Sequence, residues 1–337
     1  METLTHAIII FVISALAVVA AGIGLARFGD ELAEKTGWGA LWVGTVLVSI
    51  VTSLPELTVS VAAVWFENSP GLALGNVFGA NMINVFMLAV VAILFGANKL
   101  FMDQKRDTEL LILIGLGLVL LAGGLGLTGD MKLGPTSLGG LLILGGYLAG
   151  MRLVYNVGQS VKAADAQTGG ATAPTPAAES VFKVWLKFLA CAVVVIVAGR
   201  YVSSSADRIA EATGIGSSFI GVLLVSLVTT LPETSVSVAA MFRKSYGIVV
   251  GNVYGSCAFN VSIIFFADLF APRVPLLGRM ERAHEAAAAG ALALMAMGFA
   301  MLKGHTSPRW RWARVMTFAV PFVYVGVLYA VFALARK

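Results

Sequence analysis

Two glutamates in this chain stand inside apolar runs, each directly after a proline. Glu56 closes Gly44-Thr-Val-Leu-Val-Ser-Ile-Val-Thr-Ser-Leu-Pro-Glu56, and the run continues to Val64. Glu233 closes Gly221-Val-Leu-Leu-Val-Ser-Leu-Val-Thr-Thr-Leu-Pro-Glu233, and residues 44–63 and 221–240 share 14 identities in 20 positions. A charge at mid-bilayer depth costs roughly 2.5–3.5 kcal/mol or more, so a carboxylate kept twice at such a place implies a use for it. On a helix, Ser49, Thr52 and Glu56 share one face, as do Ser226, Thr229 and Glu233. Pro55 and Pro232 each remove a backbone donor, which frees carbonyls one turn earlier, near 49–51 and 226–228. Such open backbone is tolerated in a membrane only where protein buries it or it lines a cavity. Carboxylates, hydroxyls and free carbonyls together make an all-oxygen ligand set, the chemistry that hard cations such as Ca²⁺ require.

A second repeated motif adds amides. Gly75-Asn-Val-Phe-Gly-Ala-Asn-Met-Ile-Asn-Val85 recurs as Gly251-Asn-Val-Tyr-Gly-Ser-Cys-Ala-Phe-Asn-Val261. Asn76, Ala80 and Asn84 form a stripe along one helix, matched by Asn252, Ser256 and Asn260. The glycines at 75, 79, 251 and 255 permit close helix contact.

The elements that carry these residues are membrane spans. Hydrophobic residues make up 58% of the chain and charged residues 12%, against about 25% charged in an average soluble domain. The mean hydropathy is +0.90. Apolar runs of spanning length fall at 5–26, 40–66, 71–96, 109–128 and 135–154, and again at 183–203, 216–242, 246–270, 284–302 and 312–335. The predicted fold class is therefore an all-α polytopic membrane protein of ten transmembrane helices. Residues 1–158 form a first five-helix repeat with its motif at 44–85, and 181–337 a second with its motif at 221–261. Between them, 159–180 is rich in Ala, Thr, Gly and Pro and reads as a flexible linker. The repeat extends upstream as well: at an offset of 177, Ala21-Gly22 matches Ala198-Gly199 and Asp30 matches Asp207. An odd number of spans per repeat sends the second half in from the opposite side, and inverted repeats with midplane sites mark secondary transporters.

Fifteen of the 23 Lys and Arg residues fall on one side of this arrangement. They include Lys99, Lys105, Arg106, Arg152, Lys162, Lys183 and Lys187, which places the linker in the cytoplasm and both termini outside. The basic pI near 9.3 thus reports membrane orientation, and nucleic acid is not an expected partner. No basic residue precedes the first apolar run, whereas Arg27 and Lys35 follow it. That is the wrong flank for a cleaved signal peptide, and the run reads as a retained first span. Cys191 and Cys257 lie in apolar segments and imply no disulfide framework. His6, His284 and His305 lack metal-ligand spacing, and Arg309-Trp-Arg-Trp312 reads as an interfacial anchor.

The two motifs resemble the alpha-repeats of the cation/calcium exchanger superfamily. Thr52-Ser-Leu-Pro-Glu56 and Thr229-Thr-Leu-Pro-Glu233, each followed by Gly-Asn-x-x-Gly, are similar to its sodium/calcium antiporter branch. The proton/calcium branch carries a Gly-Asn-Ala-x-Glu signature that this chain lacks. The resemblance implies a calcium site at Glu56 and Glu233 with Thr52 and Thr229, helped by the backbone oxygens of Ser49 and Ser226. It further implies sodium ligation by Ser53 and Thr230, with Asn84, Ser256 and Asn260 at other ion-site positions. Two residues depart from the pattern: Ala80 stands where the family usually has serine, and Asn260 where many microbial members have aspartate.

The sequence thus leads to a secondary antiporter exchanging Na⁺ for Ca²⁺ by alternating access in a bacterial-type plasma membrane, without cofactors. Its expected partners are the two ions and membrane lipid. A calcium or other cation exchanger coupled to H⁺ or K⁺ on the same frame is the alternative reading. An intramembrane hydrolase would require a catalytic pattern such as His-Glu-x-x-His within the spans, and none is present.

Overall fold

The computed structural model of the chain describes residues 2–36, 49–102, 104, 106–166, 180–242, 244, 246–271 and 274–335, and these are almost wholly helical. The first helix, α1 (Glu2–Thr36), outruns the expected span at both ends. The expected span 40–66 lies partly outside the described residues, and its described part is two helices, α2 (Ser49–Thr52) and α3 (Leu54–Trp65). There follow α4 (Pro70–Phe95), α5 (Ala97–Phe101) and α6 (Arg106–Thr128). A small hairpin, Lys132–Leu133 paired with Thr136–Ser137, leads into α7 (Leu138–Ala166). This helix continues through the first residues of the stretch expected as linker; residues 167–179 lie outside the described residues.

The second half begins with α8 (Val181–Thr213) and α9 (Ser217–Ile220), then a π-helical turn at Gly221–Val225. After it come α10 (Ser226–Thr229), α11 (Leu231–Phe242), α12 (Tyr246–Asp268), α13 (Arg282–Thr306) and α14 (Met316–Ala335). Among the described residues, eight helices are long and apolar enough to cross a membrane, or nine when the bent pair 217–229 and 231–242 is one span.

Both repeated Leu-Pro-Glu motifs sit at a helix break. Pro55 and Pro232 have no N–H to give to the carbonyls of Val51 and Val228, so each helix must restart at its proline. The residues at the two breaks, Ser53 (φ −88°, ψ 9°) and Thr230 (φ −84°, ψ 0°), adopt the same bridge conformation. In the second copy the helix axis turns by 42° there.

The centre of the bundle is formed by α4 and α12, which are apolar around their circumference and almost entirely buried. They pack on one another and on the broken helices. Glycine permits the closest approaches. A Cβ at Gly79 would lie 2.5 Å from the Val222 carbonyl oxygen and 2.7 Å from Ser226 Oγ, so α4 can meet the π-helical turn only without a side chain there. The long helices α1 and α8 pack against each other on the outside, and each seats a glycine on the other half's motif. A Cβ at Gly22 would meet Pro232 at 2.4 Å, and one at Gly199 would meet Thr58 at 2.9 Å. Arg200 of α8 pairs with Glu67 and lies over the Phe66 ring, which ties α8 to the end of α3. The outer faces of α1, α8 and α14 expose Ile13, Leu16, Phe182, Val193 and Phe322, an apolar surface suited to lipid. Trp310 and Trp312 stack just before α14 and remain exposed, where an interfacial anchor belongs.

Candidate functional site

The two helix restarts bring both glutamates into the interior. Glu56 occupies the first turn of α3 and Glu233 the first turn of α11, and both are completely or almost completely buried. The two motifs meet directly: Ser53, at the first break, donates its hydroxyl to Glu233 Oε1 at 2.8 Å. Thr52 Oγ1 lies 3.5 Å from Ser256 Oγ, and Ser256 in turn donates to the Ser49 carbonyl at 3.5 Å. Residues from four helices and both sequence copies therefore share one polar centre.

This centre is short of partners. Both carboxylate oxygens of Glu56, Oε2 of Glu233, Nδ2 of Asn84 and both amide atoms of Asn260 are buried without a hydrogen bond. Each buried unpaired polar group costs about 1–3 kcal/mol, and an uncompensated buried charge several times more. The three bare carboxylate oxygens at the junction of the two motifs are not explained by packing. They fit a ligand that supplies positive charge and accepts oxygen donors. Among the described residues there is no cluster of three or more His, Cys, Asp or Glu. The donors present are carboxylate, hydroxyl, carbonyl and amide oxygens, which suit hard cations and not the softer metals that prefer thiolate and imidazole.

The surrounding framework repeats in matching form. Asn76 donates to the Glu56 carbonyl at 3.2 Å and to Ser60 Oγ at 2.9 Å. Asn252 donates to the Glu233 carbonyl and to Ser237 Oγ, each at 3.2 Å. These bonds hold each restarted helix to the helix that follows it. A further pair joins the copies at equivalent positions: Asn81 donates to the Cys257 carbonyl at 3.1 Å, and Cys257 Sγ lies 3.9 Å from the Asn81 carbonyl.

Residues 6–156 and 183–333 both match the family described as sodium/calcium exchanger protein. The chain belongs to that family. The sodium/calcium exchanger MaX1 of Methanosarcina acetivorans is 26% identical over 328 residues, covering 89% of this chain and 92% of the relative. The solved structure of the sodium-calcium exchanger NCX_Mj covers 97% of this chain and 99% of its own, with a TM-score of 0.61 at 20% identity. That of the H⁺/Ca²⁺ exchanger CAX covers 98% of this chain and 85% of its own, with a TM-score of 0.69 at 18% identity. These two likenesses show the fold. This exchanger-family chain is a multi-pass membrane transporter.

All eleven residues expected at the exchanger's ion site are buried: Ser49, Thr52, Ser53, Glu56, Asn84, Ser226, Thr229, Thr230, Glu233, Ser256 and Asn260. The structure links them unequally. Ser53 crosses to Glu233, but its counterpart Thr230 turns back and donates to the Ser226 carbonyl at 2.7 Å. That carbonyl also receives the Thr230 N–H, while the Ser49 carbonyl receives the Ser53 N–H, both at 3.1 Å. Asn84 and Glu233 line one small cavity with Thr234 and Ser237. Ala80, buried opposite in kind to Ser256, brings a methyl group where its counterpart brings a hydroxyl. Asn76 and Asn252 lie on the polar stripe read from the sequence, and with Ser60 and Ser237 they brace the centre from outside the expected ion-site residues. The available signal was their recurrence: Gly-Asn and Val-Ser-Val-Ala-Ala stand at matching places in both copies.

Proposed function

We propose that this protein exchanges Na⁺ for Ca²⁺ across a bacterial-type plasma membrane by alternating access. The observation that carries the reading is the junction of the two motifs, where Ser53 of one copy bonds the buried Glu233 of the other beside the unpaired carboxylate of Glu56. Two carboxylates can be neutralised by one divalent ion or by two monovalent ions. A site carrying two bare buried charges is costly to move through the membrane, so one cargo must be loaded before the other's path is reopened. Obligatory exchange follows. MaX1, called a sodium/calcium exchanger, supports Na⁺ as the coupling ion.

In the same reading, 1–158 and 181–337 are two inverted five-span halves joined by a cytoplasmic segment at 159–180, with both termini outside. Thr52, Thr229 and the carbonyls of Ser49 and Ser226 complete the calcium shell around the two glutamates. Ser53, Thr230, Asn84, Ser256 and Asn260 contribute to sodium binding. The test is Ca²⁺ flux into proteoliposomes under imposed Na⁺, K⁺ or H⁺ gradients. Uptake driven by an outward Na⁺ gradient is expected. Uptake driven by H⁺ or K⁺ and indifferent to Na⁺ would replace the coupling ion, and no Ca²⁺ flux under any gradient would overturn the cargo.

A further inference from the structure

We propose that Asn76 and Asn252 are positioning residues that act across the two halves, each fixing the hydroxyl of the other half's site threonine so that its oxygen faces the cargo. The inference rests on the cation-site reading above and extends it to two residues that touch no ion themselves.

Asn76 Nδ2 donates to the Glu56 carbonyl, an atom that can only accept, so the NH₂ group must face α3. Its Oδ1 is thereby turned toward Thr229 and accepts that hydroxyl at 3.1 Å. The same holds for the second copy: Asn252 Nδ2 faces the Glu233 carbonyl, and Oδ1 accepts from Thr52 at 3.3 Å. Each asparagine holds a glutamate's backbone in its own half and a threonine's proton in the other half. All four side chains are fully buried, so water does not compete for these bonds.

A threonine hydroxyl has one hydrogen and two lone pairs, and only the lone pairs can bind a cation. Each hydroxyl here has a second acceptor in reach on its own helix. For Thr52 it is the Ser49 carbonyl at 3.2 Å, and for Thr229 the Ser226 carbonyl at 3.4 Å. Both carbonyls already accept other donors: Ser53 N–H and Ser256 Oγ at Ser49, and Thr230 N–H and Oγ1 at Ser226. A proton drawn to the asparagine leaves the lone pairs of the hydroxyl oxygen facing the ion. Outer partners that orient ligands in this way change metal affinity by about 10- to 100-fold when removed. Because the bonds cross, the ligands in one half depend on the asparagine of the other, which links the two halves at the site itself.

The test is a double-mutant cycle read as the equilibrium dissociation constant for ⁴⁵Ca²⁺ on the purified full-length protein. Asn76→Ala and Thr229→Val are each expected to weaken binding about tenfold or more. The double variant should fall well short of the product of the two single effects, because Asn76 orients the hydroxyl that Thr229→Val removes. Asn76→Ala combined with Thr52→Val, a pair not joined by a hydrogen bond, should come closer to the product of the two single effects than the Asn76–Thr229 pair does. A purely structural role for Asn76 would give the same combination rule with either threonine, and that result would overturn the proposal. Asn76→Ser serves the same cycle if Asn76→Ala does not yield a monodisperse protein. Unchanged binding in Thr229→Val would overturn both this proposal and the calcium shell it rests on. Intact Thr229 dependence with additive cycles would overturn this proposal alone.

Discussion

At the scale of single residues, the two glutamates supply the formal charge of the buried centre. Replacing one by its neutral isostere removes half the site's formal charge and leaves the remaining ligands around an under-compensated ion. Losing one partner of a buried charge pair costs about 3–5 kcal/mol, more than a hundredfold in a dissociation constant. Glu56→Gln and Glu233→Gln are therefore each expected to bring Ca²⁺ flux to background while the protein still elutes as a folded species in detergent. The opposite sign is expected at Ala80, which is buried and lacks the hydroxyl of its counterpart Ser256. Ala80→Ser restores a neutral oxygen worth about 0.5–1.5 kcal/mol, or up to about tenfold in affinity. It should lower the Na⁺ concentration for half-maximal exchange and leave the half-maximal Ca²⁺ concentration nearly unchanged. Equal Na⁺ values in both proteins would remove this position from sodium binding. The glutamates were legible in the sequence because a charge amid apolar residues is conspicuous, and its repetition doubly so. The roles of Asn76 and Asn252 were not. A sequence repeat shows which residues correspond, but not that Asn76 reaches Thr229 and Asn252 reaches Thr52.

At the scale of helices, proline and glycine shape the site. Pro55 and Pro232 announced the two breaks, and the matching conformations of Ser53 and Thr230 follow from them. The π-helical turn at Gly221–Val225 had no such signal, since no proline or polar residue interrupts that stretch. It arises where Gly75 and Gly79 let α4 approach: a Cβ at Gly75 would lie 2.5 Å from the Ser218 carbonyl oxygen, and one at Gly221 would lie 2.5 Å from that of Leu72. The contact is backbone against backbone, so no side-chain rotation can relieve an added group. Gly79→Val should push α4 from the turn that carries Ser226, destabilising the protein by about 1–3 kcal/mol. A lowered detergent melting temperature with weakened Ca²⁺ flux is expected, and an unchanged melting temperature would contradict the packing described here. A comparable substitution at Gly117, which has open space around it, serves as the control.

At the scale of the whole molecule, composition and span lengths made the membrane fold legible from the outset. Helix ends were less so, because α1, α7 and α8 continue as helices beyond their apolar windows, where hydropathy gives no signal. Orientation rests on the distribution of Lys and Arg. A single cysteine introduced as Ala171→Cys, in a background of Cys191→Ala and Cys257→Ala, should react with a membrane-impermeant maleimide in lysed membranes but not in intact cells. Labelling in intact cells would reverse the topology. In the proposed exchange, one buried site built by both halves holds either cargo. The most direct measurement is equilibrium ⁴⁵Ca²⁺ binding to the purified protein at rising Na⁺ concentrations. The expected result is competition: the apparent dissociation constant for Ca²⁺ rises with more than the first power of Na⁺, the maximal binding stays fixed, and Glu56→Gln and Glu233→Gln abolish the binding. A dissociation constant that does not respond to Na⁺, or Ca²⁺ binding that survives the loss of either glutamate, would contradict it.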